Sequence, residues 1–174
     1  MNLITLDFET YYDVRLSLSK MSTVQYVQDD EFKVWGVGVK LNDEDTVWIP
    51  EDEVKEFLEQ IDWDNAALVC HNTLFDAYIL TQVFGVYAKY YYDTAAMSRG
   101  LFPNESASLK HVCKRLYPDD PSMRKGEELV NAKGIRDLDP QLDEQIGGYC
   151  IQDVDLTYAI FNKMRHEFPK SEFD

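Results

Sequence analysis

The 174-residue chain has no long apolar run, no basic N-terminal segment and no paired arrangement of cysteines. A membrane-spanning helix needs about 20 consecutive apolar residues, so no membrane association is expected. Acidic residues within the first ten positions are not typical of a secretory signal peptide. Cys70, Cys113 and Cys150 are widely spaced, which predicts neither a disulfide framework nor a zinc site and favours a reducing, cytoplasmic location.

Basic residues are also scarce. Lys and Arg number 17 against 32 Asp and Glu, which gives a formal net charge of −15. Taken alone, this balance argues against nucleic-acid binding, because the phosphate backbone attracts Lys and Arg. Residues 99–136 are the exception, with eight basic and five acidic residues. This stretch is either a set of solvated helix faces or a surface that faces phosphates.

The hydrophobic pattern predicts strands that begin early in the chain, within a single domain over residues 1–174. Residues 2–10 (NLITLDFET) form a first, buried strand, and residues 31–41 alternate with the period of two that a second strand requires. Turn residues then lead into a third strand at 46–49, which predicts a hairpin. The apolar run at 66–70 predicts a strand that is buried on both faces.

Helices are predicted between and after the later strands. Residues 51–61, 73–85 and 142–166 have helical periodicity and end signals, and residues 89–94 form a short fifth strand. The strands are first antiparallel and then alternate with helices. This order predicts an α/β fold with a mixed sheet of about five strands, flanked by helices.

Two carboxylates interrupt the first strand, at Asp7 and Glu9. Side chains two positions apart on a strand point to the same face, so both acids lie together near the end of this strand. A single D-x-E pair has many structural explanations and is weak evidence for a metal site.

Three further polar residues lie on later elements. Asp76 falls in the first turn of the helix after the fourth strand, where the helix dipole alone would favour an acid. Tyr149 and Asp153 are four residues apart, so they share one face of the final helix, and Tyr149 could equally be the edge of an apolar stripe. Asp155 falls on another face and is interpreted as solvated.

The combination of acids indicates more than any one of them. A compact α/β domain can bring four carboxylates to one sheet edge, where they would repel one another and raise each other's pKa. Divalent cations would offset this repulsion, and hard oxygen ligands suit Mg²⁺ or Mn²⁺ rather than zinc. Two such ions about 4 Å apart promote in-line attack on phosphodiesters. The acids concerned are Asp7, Glu9, Asp76 and Asp153.

At these positions the sequence resembles a known family. The order DFET, HNTLFD and YCIQD resembles the three exonuclease motifs of the tyrosine-bearing (DEDDy) branch of the DEDD superfamily, which has a ribonuclease H-like fold. The segments YYDTAAMSRGL, SLKHVCKRLYP and FPKSEFD resemble further parts of phage-type family A DNA polymerases, whose N-terminal domain proofreads during replication. The resemblance implies metal-dependent release of nucleoside 5′-monophosphates from the 3′ end of DNA, in the host cytoplasm if the source is viral.

The resemblance also assigns roles and partners. It implies that two divalent cations, Mg²⁺ or Mn²⁺, are held by four carboxylates: Asp7, Glu9, Asp76 and Asp153. Glu9 and Tyr149 would orient the attacking water. Thr10 and Asn72 would contact the terminal nucleotide, and Phe75 would pack near its base or sugar. The implied partners are a single-stranded DNA 3′ end and a polymerase domain, in the same or a separate chain.

Two alternatives remain open at this point. The motifs do not separate a DNA exonuclease from an RNA-trimming exonuclease of the same superfamily, because contacts to a 2′-hydroxyl are not readable from them. A non-catalytic module could use the same fold to bind a nucleic-acid end or a protein. His71 and Asp93, near the motifs, are interpreted as structural, His71 at a strand end and Asp93 as a helix cap.

Overall fold

A computed structural model describes residues 1–125 and 131–173, which form one five-stranded sheet with helices on both faces. The strands are β1 (Asn2–Thr10), β2 (Val34–Leu41), β3 (Val47–Pro50), β4 (Ala66–Cys70) and β5 (Tyr90–Asp93). Their order across the sheet is β3-β2-β1-β4-β5. Because β1–β2 and β2–β3 pair antiparallel while β4 runs parallel to β1 and β5, the predicted mixed sheet is confirmed.

The described residues also form six α-helices. These are α1 (Thr23–Val27), α2 (Glu51–Glu59), α3 (Thr73–Gln82), α4 (Thr94–Leu101), α5 (Leu109–Leu116) and α6 (Pro140–Met164). α6 begins two residues before the predicted start, because the Asp139 side chain accepts the backbone N–H of Leu142 and Pro140 fits the first turn. The sequence analysis missed α1, although Ser22 and Gln25 form a capping box at its start.

Different helices cover the two faces of β1. The Phe8 ring stacks on Phe84, which follows α3, with 5.6 Å between ring centroids. The neighbouring Asp7 instead contacts Cys150 of α6. All five residues of β4 are buried, as expected for a parallel strand covered on both sides. The core therefore lies on both sides of β1 and β4, and the polar face of β1 is directed at α6.

Glycines let α6 approach the sheet closely. A Cβ at Gly36 of β2 would lie 2.4 Å from the Trp48 ring, and one at Gly147 of α6 would lie 2.6 Å from the same ring. A Cβ at Gly38 would lie 2.8 Å from Cys150 Sγ. The indole of Trp48 thus fills the space between β2 and α6, and a larger residue at either glycine would push the helix away.

The C-terminal half of α6 packs against α5 in a second apolar cluster. Its buried members are Leu109, Val112, Cys113, Leu156, Ile160 and Met164.

The three cysteines of the chain are free and buried. Among the helices of the described ranges, none is long and apolar enough to cross a bilayer.

Candidate active site

The site begins with two acids of β1 that stand opposite glycines. In the antiparallel register, Asp7 pairs with Gly38 and Glu9 pairs with Gly36. Neither glycine has a side chain to cover the neighbouring carboxylate, so this face of the sheet is left to α6. A register shift follows between Glu9 and Thr10, which ends the regular pairing just beyond the acids.

Asp76 reaches the same edge from α3. Its side chain is only 1% exposed, and its Oδ1 accepts a hydrogen bond from the backbone N–H of Phe8 at 2.9 Å. The parallel pairing of β1 with β4 stops at Thr5, so the N–H of Phe8 lies beyond the β4 ladder. Asp76 supplies the acceptor that β4 no longer provides, and it therefore lies beside Asp7 and Glu9.

α6 brings the remaining polar groups. The thiol of Cys150 donates to the backbone carbonyl of Asp7, with 3.1 Å between Sγ and O, and this contact docks the helix on β1. Tyr149 and Asp153, on either side of Cys150 along the helix, line a cleft of about 170 Å³ together with Glu9. Asp153 Oδ2 accepts a hydrogen bond from the ammonium of Lys125, whereas Asp153 Oδ1 is buried without a partner among the described residues.

The electrostatics of these acids reflect burial and mutual repulsion. Loss of solvation, followed by the charge of Asp153, raises the pKa of Asp7 from 3.8 to about 7. Loss of solvation, followed by the charge of Asp7, raises the pKa of Asp76 well above its usual value. The charge of Glu9 raises the pKa of Asp76 further. Both shifts mean that the ionised carboxylates are costly here unless a cation accompanies them.

The residues present fit divalent cations. One ligand atom each from Asp7, Glu9 and Cys150 lies within 4.8 Å of the others. Asp153 Oδ1, which has no hydrogen-bond partner within residues 1–125 and 131–173, is a further acceptor. The carboxylate oxygens in this set are hard donors, which match the preferences of Mg²⁺ and Mn²⁺, whereas the sulfur of Cys150 is a soft donor.

The residues expected at the terminal nucleotide lie around this edge. Asn72 is exposed at the N-cap of α3, with φ of 76°, and its side chain makes no capping bond to the described first turn. The hydroxyl of Thr10 is buried and hydrogen-bonded to the Tyr26 hydroxyl at 2.8 Å. Phe75 is half-buried, with its ring centroid 6.1 Å from that of Tyr26. Of the three, Asn72 is the most open to solvent.

His71 and Asp93 make the contacts expected of structural residues. The ring nitrogens of His71 lie 2.8 Å from the Thr94 hydroxyl and 2.8 Å from the carbonyl of Ala107. Asp93 accepts the first backbone N–H groups of α4.

Asp155 is exposed, as predicted, and its carboxylate also makes contacts across the fold. Its carboxylate lies 3.3 Å from the ammonium of Lys40 and accepts a hydrogen bond from Thr46 at 2.5 Å. This face of α6 passes over β2 and the loop that precedes β3, where Lys40 and Thr46 lie. The pairing is a contact between distant parts of the chain, which helical periodicity alone does not reveal.

Two residues at the site were missed in the sequence. Lys125 lies within the predicted basic stretch, but nothing in its spacing separated it from the other bases there. Glu127 and Glu128 of that stretch lie outside the described residues. Cys150 was considered in the sequence as one of three widely spaced cysteines and was given no role at the site. Its place between the two motif residues Tyr149 and Asp153 was the available signal.

Comparison with known proteins identifies the family. A model of the 3′-5′ exonuclease family matches residues 3–169, so the chain belongs to this family. No match to a curated protein reaches significance. The assignment agrees with the predicted DEDD exonuclease motifs, all of which lie inside the matched range.

Solved structures with the same ribonuclease H-like fold include DEDD-type nucleases. Brucella melitensis NrnC with bound Mg²⁺ has 14% identity and a TM-score of 0.60, covering 94% of this chain and 72% of NrnC. NrnC bound to pGG has 14% identity and a TM-score of 0.61, covering 95% and 74%. Escherichia coli RNase D, an exoribonuclease involved in structured RNA processing, has 15% identity and a TM-score of 0.53, covering 94% of this chain and 40% of RNase D.

Proposed function

We propose that this chain is a metal-dependent 3′-5′ exodeoxyribonuclease that removes nucleoside 5′-monophosphates from single-stranded DNA ends, as the proofreading activity of a DNA polymerase. One observation carries the proposal, the convergence of four acids and a tyrosine at one sheet edge: Asp7, Glu9, Asp76, Asp153 and Tyr149. The fold does not need such a repulsive cluster for its stability. A site for divalent cations does require several carboxylates close together.

Four carboxylates would hold two divalent cations, Mg²⁺ or Mn²⁺: Asp7, Glu9, Asp76 and Asp153. When bound, such ions activate water and stabilise the charge on the departing 3′ oxygen. The chain's own residues position the reactants. Tyr149 and Glu9 line one cleft, where the phenol and the carboxylate orient the attacking water by hydrogen bonding.

The substrate strand enters past the N-terminus of α3. Asn72, exposed at this point, would contact the terminal nucleotide, and Phe75 would pack against its base or sugar. A contact from Thr10 stays a prediction, and its hydroxyl would have to share its hydrogen bond to Tyr26. The DNA assignment and the polymerase partner rest on the segments 91–101, 108–118 and 168–174, which resemble polymerase-associated exonucleases.

An RNA-trimming exonuclease is the second candidate. Two structural neighbours favour it, since NrnC was solved with pGG and RNase D processes structured RNA. A non-catalytic module is a third possibility, which the retained acid cluster argues against.

Matched oligonucleotides test these candidates. DNA and RNA strands of one sequence, labelled at the 5′ end, are incubated with the protein and Mg²⁺, and the release of mononucleotides is timed. We expect faster degradation of DNA. Faster degradation of RNA would replace the DNA assignment, and no degradation of either strand would favour the non-catalytic module.

Residues 1–174 would form a single exonuclease domain that works in the cytoplasm. Three free cysteines are in keeping with a reducing compartment. The DNA partner is recognised through its backbone and 3′ terminus, so little sequence preference is expected.

A further inference from the structure

Lys125 lines the cleft of Glu9 and Asp153, although no motif includes it. The segment before it is tied down at two points. Asp120 accepts the N–H of Ser122 at 2.9 Å, which closes a short turn, and the side chain of Gln152 donates to the carbonyl of Arg124 at 3.3 Å. The second bond attaches the segment to α6, one residue before Asp153. Lys125 is therefore directed into the cleft by the described fold.

The ammonium of Lys125 is hydrogen-bonded to the protein, and the side chain is also partly accessible to solvent. It donates to Asp153 Oδ2, and its side chain remains 32% exposed. Of the residues in the described ranges that line this cleft, Lys125 is the basic one, and Glu9 and Tyr149 line the same cleft. A long flexible stem lets the ammonium move to a nearby partner without movement of the backbone.

The charges of the cleft create a need for such a cation. A phosphodiester must approach several carboxylates, and its non-bridging oxygens require donors in addition to the metal ions. A lysine ammonium is a strong point-charge partner for phosphate. A divalent cation held by Asp153 would replace the ammonium of Lys125 there, and the ammonium would then be able to turn toward the substrate.

We propose that Lys125 is a catalytic residue that binds the phosphate of the scissile bond, and that it and a divalent cation compete for Asp153. This inference rests on the proposed nuclease function and adds a residue to it. It predicts two effects of opposite sign when the charge is removed. Catalysis should weaken, because a phosphate contact is lost. Metal binding should strengthen, because Asp153 loses its internal competitor.

The test uses the Lys125→Met variant of the full chain, since Met keeps most of the apolar stem. The kcat/KM on a single-stranded oligonucleotide should fall by about tenfold to a hundredfold, the range for a charged hydrogen bond. The Kd for Mn²⁺, measured by calorimetry without substrate, should decrease by about threefold or more. Lys125→Arg, which keeps the positive charge, should recover part of the kcat/KM.

Lys133→Met is the matched control. Lys133 is an exposed residue that is not among those lining the cleft, and its substitution removes the same charge. Both quantities should stay at the wild-type value in this variant.

Two results for the Lys125→Met variant would overturn the inference. An unchanged kcat/KM in Lys125→Met would exclude a contact with substrate. A fall in kcat/KM accompanied by weaker Mn²⁺ binding would mean that Lys125 only holds Asp153 in place. If the wild-type protein degrades neither DNA nor RNA, the proposed function fails and this inference falls with it. Failure of the variant alone leaves the nuclease assignment standing.

Discussion

The two halves of α6 contribute different properties to the protein. The N-terminal half, defined here as the part up to Asp153, carries Tyr149 and Asp153 and faces the acids of β1. The C-terminal half packs on α5 through side chains that are at most 2% exposed, among them Leu156 and Ile160. One half holds the proposed catalytic groups in an energetically unfavourable arrangement, and the other half buries apolar surface. The proposed chemistry and the stability of the fold are therefore assigned to different parts of a single helix.

Polar groups at the N-terminal half of α6, and on the strand β1 that it faces, are in energetically unfavourable surroundings. Asp153 Oδ1 is buried without a partner in the part of the chain that the structure describes, and the pKa of Asp7 is raised to about 7 by burial and by the charge of Asp153. The second half has no comparable feature, since its cluster consists of apolar side chains and the thiol of Cys113. Substitutions in the two halves should accordingly change different measurements.

The Asp7→Ala substitution should have the largest effect on activity. Removing a carboxylate at the centre of the acid cluster should lower kcat/KM by at least about a thousandfold, because a proposed metal ligand is lost. The free energy of unfolding at pH 8 without metal should not decrease by more than about 1 kcal/mol, because repulsion is relieved. Nuclease assays and denaturant titration measure the two effects. Activity near the wild-type level would contradict the role of Asp7.

The Ile160→Ala substitution should show the opposite profile. It removes buried apolar atoms from the α5–α6 cluster and should lower the free energy of unfolding by about 3 kcal/mol. The kcat/KM below the melting temperature should stay within about threefold of wild type, because the catalytic edge is untouched. Denaturant titration is the measurement. A large loss of kcat/KM in the folded variant would mean that the two halves are coupled.

The pH dependence of the free energy of unfolding should show how unfavourable the ionised Asp7 carboxylate is in the folded protein. Its pKa is 3.8 when exposed and about 7 in the folded protein. The folded state therefore binds more protons than the unfolded state between these values, and the free energy of unfolding of the metal-free protein should fall as pH rises from 4 to 7. The Asp7→Asn variant should lose part of this dependence, on the order of 2 kcal/mol over the range. Identical pH profiles for both proteins would exclude the raised pKa.

The Tyr149→Phe substitution should have a smaller effect. The substitution removes only the hydroxyl that we propose to orient water, so kcat should fall by about tenfold while the Kd for Mn²⁺ stays unchanged. Single-turnover kinetics and calorimetry separate the two quantities. A loss as large as that of Asp7→Ala would indicate that the tyrosine does more than orient water.

Much of the fold could be predicted because its signals are local. The period of two in β2, the apolar run of β4 and the caps of the long helices each need only a few neighbouring residues. The start of α6 was misplaced by two residues, since Asp139 and Pro140 were not recognised as its cap and first turn. The short helix α1 was missed because five residues show no clear periodicity.

The site was less predictable because its geometry depends on contacts between distant residues. The spacing of the motifs led to the prediction that Asp7, Glu9 and Asp153 belong to one metal site. It did not indicate that Lys125 would bond Asp153, or that Asp155 would pair with Lys40. Both contacts join segments more than 25 positions apart. No period or cap signal reports on such pairs.

The most direct test of the central claim follows a 5′-labelled single-stranded DNA oligonucleotide incubated with the protein and Mg²⁺ or Mn²⁺. Parallel reactions contain EDTA or the Asp7→Ala variant. The account predicts a ladder of products shortened progressively from the 3′ end by the wild-type protein with metal, and intact substrate in both parallel reactions. A ladder that persists with EDTA or with Asp7→Ala would contradict the claim that the converging carboxylates form a metal-dependent exonuclease site.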